Sequence, residues 1–290
     1  MHAGLMPPLH AGSLVLAEWG LEPGIVVPLL VTGLWYARGA LVLRSRSARA
    51  PRTAAVAAFA GGWITLVLAL VSPLHGLSEQ LFSAHMIQHE LLMALAAPLL
   101  VAARPGPALL WAFGPRARLG VAGLVHVGIV RSVWRAITRP FAAWLIQGIV
   151  IWVWHVPALF EATLHSEVVH AAQHIAFLGS AVLFWWSIVH CPRTARGLAI
   201  IYLFTTAVHT GVLGALMAFA RSPWYPDYAS RVAAYGLSPI GDQQLAGLIM
   251  WIPASAAYLL AALATAHRWL RDSEWEVTQR ERAAFVTVAR

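Results

Sequence analysis

Seven long apolar runs, joined by short segments that carry most of the charged residues, constrain this chain more than any other feature. A helix needs about 20 residues to cross ~30 Å of hydrocarbon at a rise of about 1.5 Å per residue. The runs show no alternation of polar and apolar residues, so we predict helices rather than strands. We place the seven transmembrane helices at residues 24–43, 54–71, 83–103, 140–157, 168–190, 197–219 and 245–266.

The composition excludes a water-soluble protein. Hydrophobic residues make up 59% of the chain and charged residues 11%, whereas a soluble domain carries about 25% charged residues. The chain has one cysteine, which excludes a disulfide-linked secreted scaffold. The net charge of +8 does not indicate a nucleic-acid partner, because the arginines fall at intervals between the apolar runs. The predicted fold class is therefore an all-α integral membrane protein that passes through the lipid bilayer several times.

The distribution of basic residues predicts the orientation of the chain in the membrane. All 20 are arginines, and 18 of them fall on one side of the predicted spans. Arg221 and Arg231 are the two on the other side. By the positive-inside rule, the side with the excess is cytoplasmic. We therefore predict an extracytoplasmic N-terminus and a cytoplasmic C-terminus, which agrees with an odd number of spans.

The spans divide the chain into three parts. We predict an extracytoplasmic leader over residues 1–23, a membrane domain over 24–266 and a charged cytoplasmic tail over 267–290. The leader lacks a basic start, and its short apolar stretch is broken by Glu18 and Gly20, so we do not predict a cleaved signal peptide.

The histidines carry the clearest chemical signal. His85-Met-Ile-Gln-His89 opens the third predicted span and His170-Ala-Ala-Gln-His174 opens the fifth, while His155 closes the fourth. In the predicted topology all three features lie at the extracytoplasmic end. Residues four apart share a helix face, so each motif presents two imidazoles together. Imidazole binds zinc, copper, iron and nickel. We therefore predict a metal site in the outer half of the bundle, with the two glutamines orienting ring nitrogens.

A simpler interpretation exists for each part of this pattern. One histidine pair at a membrane interface is more typical of packing or hydrogen bonding, and a glutamine there can face lipid. Two copies of the motif at one depth, together with His155, favour the metal site, because polar groups in membrane helices normally face a partner in the bundle. Helix rotation decides whether His75, His209 or Glu90 joins them.

Four stretches of the sequence together resemble a known family. Each is short, but they occur in order over most of residues 72 to 266. The combination resembles the multi-spanning cytochrome c oxidase assembly factor CtaG family. The stretches are Ser-Ala-His85-Met-Ile-Gln-His89 with Ala-Pro98-Leu-Leu, Trp154-His155-Val-Pro157, His170-x-x-Gln-His174 running to Phe184-Trp185-Trp186, and Asp242-Gln243-Gln244 running to Met250-Trp251-Ile-Pro253.

This resemblance implies a seven-helix, multi-pass protein of a prokaryotic plasma membrane that helps to mature a haem–copper oxidase. It implies copper as the metal and oxidase subunits as partners, with no catalytic residue and no enzymatic activity. Glu90 departs from the family pattern, in which this position is usually apolar. The metal ligands that the resemblance implies are His85, His89, His155, His170, His174 and Asp242.

Two other classes of protein fit the same residues. A zinc-dependent intramembrane hydrolase would use clustered histidines and an aspartate to activate water. A bis-histidine haem protein would take one ligand from each of two helices, but it rarely needs paired histidines on both. Metal analysis with an optical spectrum separates the three classes.

Overall fold

The protein is an assembly of helices. The computed structural model describes residues 19–46 and 51–288, with side chains throughout except at 276–278 and 280–288. Within these ranges the chain forms helices, turns and loops, and no strand. Most of the predicted leader, residues 1–18, lies outside the described residues, so the leader stays a prediction.

The described helices follow one another in a simple order, and one of them, α4, contains a π-helical segment from Leu91 to Ala96. They are α1 (Pro23–Arg46), α2 (Thr53–Leu70), α3 (Pro73–Ser78), α4 (Phe82–Ala103), α5 (Gly106–Trp111), α6 (Pro115–His126), α7 (Gly128–Ile137), α8 (Pro140–Trp154), α9 (Pro157–His165), α10 (Glu167–Val189), α11 (Arg196–Ala218), α12 (Ala229–Val232) and α13 (Pro239–Val288).

Several of these helices are suited to a membrane. Among the described residues, six helices are long and apolar enough to cross one, and two bent pairs would raise the number to eight. The six single helices are α1, α2, α4, α10, α11 and α13, and each coincides with a predicted span. The chain is therefore a multi-pass helical membrane protein.

The fourth predicted span, residues 140–157, has a different form. Helix α8 has 15 residues, which cover about 22 Å and fall short of the ~30 Å of a hydrocarbon core. It is followed by α9 after a bend of 72°. Proline lacks a backbone N–H and disfavours helix at the residue before it, so Pro157 explains the break in Trp154-His155-Val-Pro157.

Two three-helix units place the histidine motifs at equivalent positions. In α2–α3–α4 and in α8–α9–α10, a short helix that begins with proline separates two longer helices. The first histidine of each motif, His85 or His170, is the fourth residue of the third helix in its unit. Helices α4 and α10 also pack against each other. The fold therefore brings both motifs to one end of the bundle.

The backbones of helices α11 and α13 approach each other closely at two glycines. A Cβ atom added to Gly247 would lie 2.5 Å from the carbonyl oxygen of Gly214, and one added to Gly214 would lie 2.7 Å from that of Gly247. Small residues let membrane helices approach in this way. The contact fixes the start of α13, which carries Asp242, relative to the rest of the bundle.

We expect Gly247→Ala to lower the thermal stability of the purified protein, because the new methyl group overlaps the backbone of α11. Overpacking of this kind costs about 1–3 kcal/mol. Circular dichroism during heating in detergent measures the effect. Gly179→Ala is the matched control, since a Cβ atom there meets no atom within 4 Å. Equal melting temperatures for the two variants would contradict the close approach of α11 and α13.

Candidate metal centre

The two His-x-x-Gln-His motifs converge at one end of the bundle. Ring centroids lie 4.4 Å apart for His85 and His89 within α4, and 4.3 Å apart for His170 and His174 within α10. Between the helices, the His85 and His170 centroids are 5.1 Å apart and those of His89 and His174 are 5.6 Å apart. All four side chains are buried. The four-residue spacing in the sequence therefore predicted correctly that the two imidazoles of each motif lie together.

Three of these histidines form a group that could hold one ion. One ring nitrogen each of His85, His89 and His174 lies within 4.8 Å of the others. Nitrogens bound to one metal at ~2 Å would be ~3–4 Å from each other. Moving the rings together by about 1 Å, which a side chain does by small χ rotations, would give bonding distances.

Several ring nitrogens of the cluster have no hydrogen-bond partner, as a metal site requires. Both nitrogens of His89 are buried without a hydrogen-bond partner, as are Nε2 of His155, His170 and His174. Buried polar atoms almost always have a partner. Several unpartnered nitrogens in one cluster therefore fit a site that holds a cation, and a set of imidazoles suits copper or zinc.

His155 is oriented by its own helix end. It lies at the C-terminus of α8, and its Nδ1 donates to the carbonyl oxygen of Ile151 at 2.6 Å. This bond places the ring proton on Nδ1 and leaves the lone pair on Nε2, the usual arrangement of a metal-binding histidine. The ring centroid lies 6.3 Å from that of His89. Its own carbonyl oxygen accepts a hydrogen bond from the hydroxyl of Tyr225 at 2.8 Å.

The glutamines of the two motifs contact imidazoles, as the sequence predicted. Oε1 of Gln173 lies 3.1 Å from Nε2 of His85, so the glutamine of one motif meets the histidine of the other. Gln88 donates through Nε2 to Nδ1 of His75 at 3.1 Å and to the carbonyl oxygen of Ala69 at 2.7 Å. Both glutamines are fully buried and neither faces lipid.

His85 has a second partner from the loop before α13. Its Nδ1 lies 3.3 Å from the hydroxyl of Tyr228, which donates to the carbonyl oxygen of Ser78 at 3.0 Å. Burial raises the pKa of Tyr228 well above the usual value of a phenol, and the charge of Asp242 raises it further, so the hydroxyl stays protonated. A neutral imidazole has one N–H, so the ring donates to Gln173 or to Tyr228 and keeps one lone pair.

Asp242 lies at the beginning of α4 rather than among the imidazoles. One carboxylate oxygen accepts the backbone N–H of Phe82 at 2.7 Å, and the other accepts the N–H and the hydroxyl of Ser83. The first N–H groups of a helix have no partner within it, and the residue before α4, Leu81, has no side-chain acceptor. A carboxylate from a different helix therefore performs the capping and fixes the first turn, which carries His85.

Aromatic side chains enclose the cluster. The ring of Phe160 lies 4.9 Å from that of His85, and the ring of Phe177 lies 4.4 Å from that of His89. Both phenylalanines are fully buried. These side chains leave the imidazoles in an apolar surrounding, where a cation at the ring nitrogens would not compete with bulk water for its ligands.

The structure gives the positions of the three residues whose place in the metal site the sequence left open. His75 stacks on His170, with ring centroids 5.6 Å apart. His209 packs against Trp144, with centroids 6.3 Å apart, and lies within 4 Å of a Cβ built on Gly148. Glu90 directly follows His89 and is half-buried.

Sequence reasoning missed the residues that hold the cluster from outside the motifs. Tyr225 and Tyr228 bind His155 and Ser78, and Phe160 fills the space beside His85. A weak signal was present in Tyr225-Pro-Asp-Tyr228, where two tyrosines flank a Pro-Asp pair that is typical of a turn.

A buried imidazole cluster at one end of a multi-pass helical bundle defines a membrane protein with a candidate metal centre. The family model of the cytochrome c oxidase caa3 assembly factor, Caa3_CtaG, matches residues 34–272. The chain belongs to this family, and membership indicates a cytochrome c oxidase assembly factor. No curated protein and no solved structure matches the chain significantly.

We expect Asp242→Ala to loosen the start of α4, because it removes an acceptor from two backbone N–H groups. The loss should speed amide hydrogen exchange at residues 82–86 and lower the free energy of unfolding by about 1–3 kcal/mol. Hydrogen exchange with mass spectrometry measures the first effect. Asp227→Ala is the control, since that carboxylate pairs with the exposed His165. Unchanged exchange at residues 82–86 in the Asp242 variant would show that the cap is not needed.

Proposed function

We propose that this protein binds copper through its histidine cluster and delivers it to a haem–copper cytochrome c oxidase during assembly. The observation that carries the proposal is the group of buried imidazoles with unpartnered nitrogens in a chain of this family. Copper is the cargo in this proposal. The partners are oxidase subunits, and the site is non-catalytic.

The first ligands in the proposal are His85, His89 and His174, since their nitrogens lie nearest to one another. His155 and His170 complete the set as the rings close around the ion, because each offers an unpartnered Nε2. We assign Asp242 a positioning role in place of the predicted ligand role, because both of its oxygens are engaged at the start of α4.

A delivery site must release its ion, and the contacts of His85 support reversible binding. Both of its nitrogens have partners, Gln173 and Tyr228. A neutral imidazole donates to only one of them, so a bound ion takes the lone pair of the other nitrogen and displaces the competing partner that faces it, which returns when the ion leaves. The remaining histidines have no such competitor at the nitrogens named above.

The proposal also assigns a topology and a location. We propose seven spans, counting α8 with α9 as one broken span, with the N-terminus outside and the C-terminus in the cytoplasm. Arginine distribution supports this orientation. The membrane is the plasma membrane of a prokaryote, and the histidine cluster lies on its extracytoplasmic side.

Fusions test the topology. A reporter that is active only in the cytoplasm should work when fused after Arg290, and a reporter that is active only outside should work when inserted within residues 222–237. The arginine excess is the physical reason for this result. The opposite pattern would place the histidine cluster on the cytoplasmic side and would contradict delivery from the extracytoplasmic face.

Metal content and oxidase activity test the chemistry. We expect His85→Ala combined with His174→Ala to remove most of the copper from the purified protein, because two of the three closest ligands are lost. The variant should still insert, since polar contacts between membrane helices contribute only ~0.6 kcal/mol on average. Cells with this variant should make oxidase polypeptides but show low oxidase activity, partly restored by added copper.

His165→Ala is the matched control, because this histidine lies at the same end of the bundle but pairs with Asp227 on the surface. It should keep both copper content and oxidase activity. The abundance of each variant is measured in the same membranes, and hydrogen exchange verifies the fold. Normal oxidase activity of the double variant under copper limitation contradicts delivery. Zinc without copper in the wild-type protein favours a hydrolase, and a Soret band favours a haem protein.

A further inference from the structure

A sixth histidine extends the cluster toward the end of the bundle. His75 stacks on His170 with an angle of 9° between the ring planes and 5.6 Å between the centroids. It belongs to α3, which stands outside the two motifs. The rings of His75, His170, His174 and His89 are neighbours in that order, with centroid distances of 5.6, 4.3 and 5.6 Å. The imidazoles therefore form a continuous path.

The ring of His75 is held in one orientation. Its Nδ1 accepts a hydrogen bond from Gln88, so the ring proton is on Nε2. Nε2 lies 3.7 Å from Oε1 of Glu22. His75 is therefore suited to attract and orient the carboxylate of Glu22 rather than to bind a metal itself.

Glu22 is fixed by its backbone while its side chain stays accessible. Its carbonyl oxygen accepts from Ile25 and Val26 at the start of α1. The preceding Gly20 donates to the carbonyl oxygen of Val71 at 2.9 Å, which ties this segment to the end of α2. The side chain of Glu22 is 49% exposed, whereas His75 is buried. A negative charge thus stands at the outer end of the imidazole path.

We propose that Glu22, positioned by His75, is the outer capture point for the copper ion, which then passes to His170 and on to the three-histidine site. This inference rests on the proposed function and adds a route to it. Each step is an exchange of ligands without change in the oxidation state. Nε2 of His170 replaces the carboxylate oxygen, and nitrogens of His174, His89 and His85 then join His170 around the ion.

The exposed fraction of the side chains falls along the path, from Glu22 inward to His89. Glu22 is half exposed, His170 is 8% exposed and His89 is 1% exposed. His170 is the first histidine on the path that offers an unpartnered nitrogen, since Nδ1 of His75 accepts a hydrogen bond from Gln88 and its Nε2 carries the ring proton and faces Glu22. Asp242 and Asp227, two further carboxylates at this end, are engaged with α4 and with His165.

The experiment measures how fast purified protein in detergent binds Cu(I) supplied with ascorbate, together with the amount bound at equilibrium. We expect Glu22→Gln to slow association about tenfold at low ionic strength, because it removes the charge that attracts the cation. The difference should shrink at about 1 M salt, where charges are screened within ~3 Å. His75→Phe keeps a stacked ring and should slow association in the same direction. Neither variant should change the amount of copper bound.

Asp227→Asn is the matched control, because it removes a carboxylate from the other histidine–carboxylate pair at this end. Its rate should equal that of the wild type. Equal rates for Glu22→Gln and wild type overturn the route and leave the proposed function intact. A loss of bound copper in Glu22→Gln also overturns it, since Glu22 would then belong to the resting site. Failure of the wild-type protein to bind copper, supplied as Cu(I) or as Cu(II), overturns the proposed function itself.

Discussion

Burying imidazole groups inside a membrane helix bundle costs free energy unless their nitrogens have partners, and the rest of this structure depends on that constraint. Nitrogens of His89, His155, His170 and His174 lack partners in the protein. A sequence that keeps four such groups close together must compensate elsewhere in the fold. The compensation comes from contacts that fix each ring without using the nitrogens that face the cluster.

These contacts form a chain of dependence across the bundle. Close packing of α11 and α13 at Gly214 and Gly247 sets the position of Asp242. Asp242 caps α4 and thereby sets the position of His85 and His89. The loop between α11 and α13 adds two tyrosines that bind backbone carbonyls beside His85 and His155. The geometry of the cluster is therefore a property of the whole bundle rather than of the two motifs alone.

Local features of the site could be predicted from the sequence because they depend on helical periodicity. His85 and His89 share a face because they are four residues apart, and the same holds for His170 and His174. The apolar runs located six of the long helices for a similar reason, since span length is set by the bilayer.

Features that depend on distant contacts could not be predicted. The bond from Phe82 to Asp242 joins residues 160 positions apart, and no local pattern indicates it. The same is true of Tyr228 with His85, which are 143 positions apart. The fourth apolar run has the composition of a span, but its helix ends at Trp154, before Pro157, and hydropathy alone does not reveal the bend of 72° that follows.

The early end of α8 has an electrostatic consequence. The peptide dipoles of a helix sum to about half a negative charge at its C-terminus. His155 stands at that terminus, so the negative end of α8 lies beside the imidazoles. Helices α4 and α10 begin near the same place, and their positive ends are balanced by Asp242 and by Glu167 in the first turn of α10. The partial charge at the end of α8 would neutralise about half of the charge of a monovalent cation but only about a quarter of that of a divalent cation.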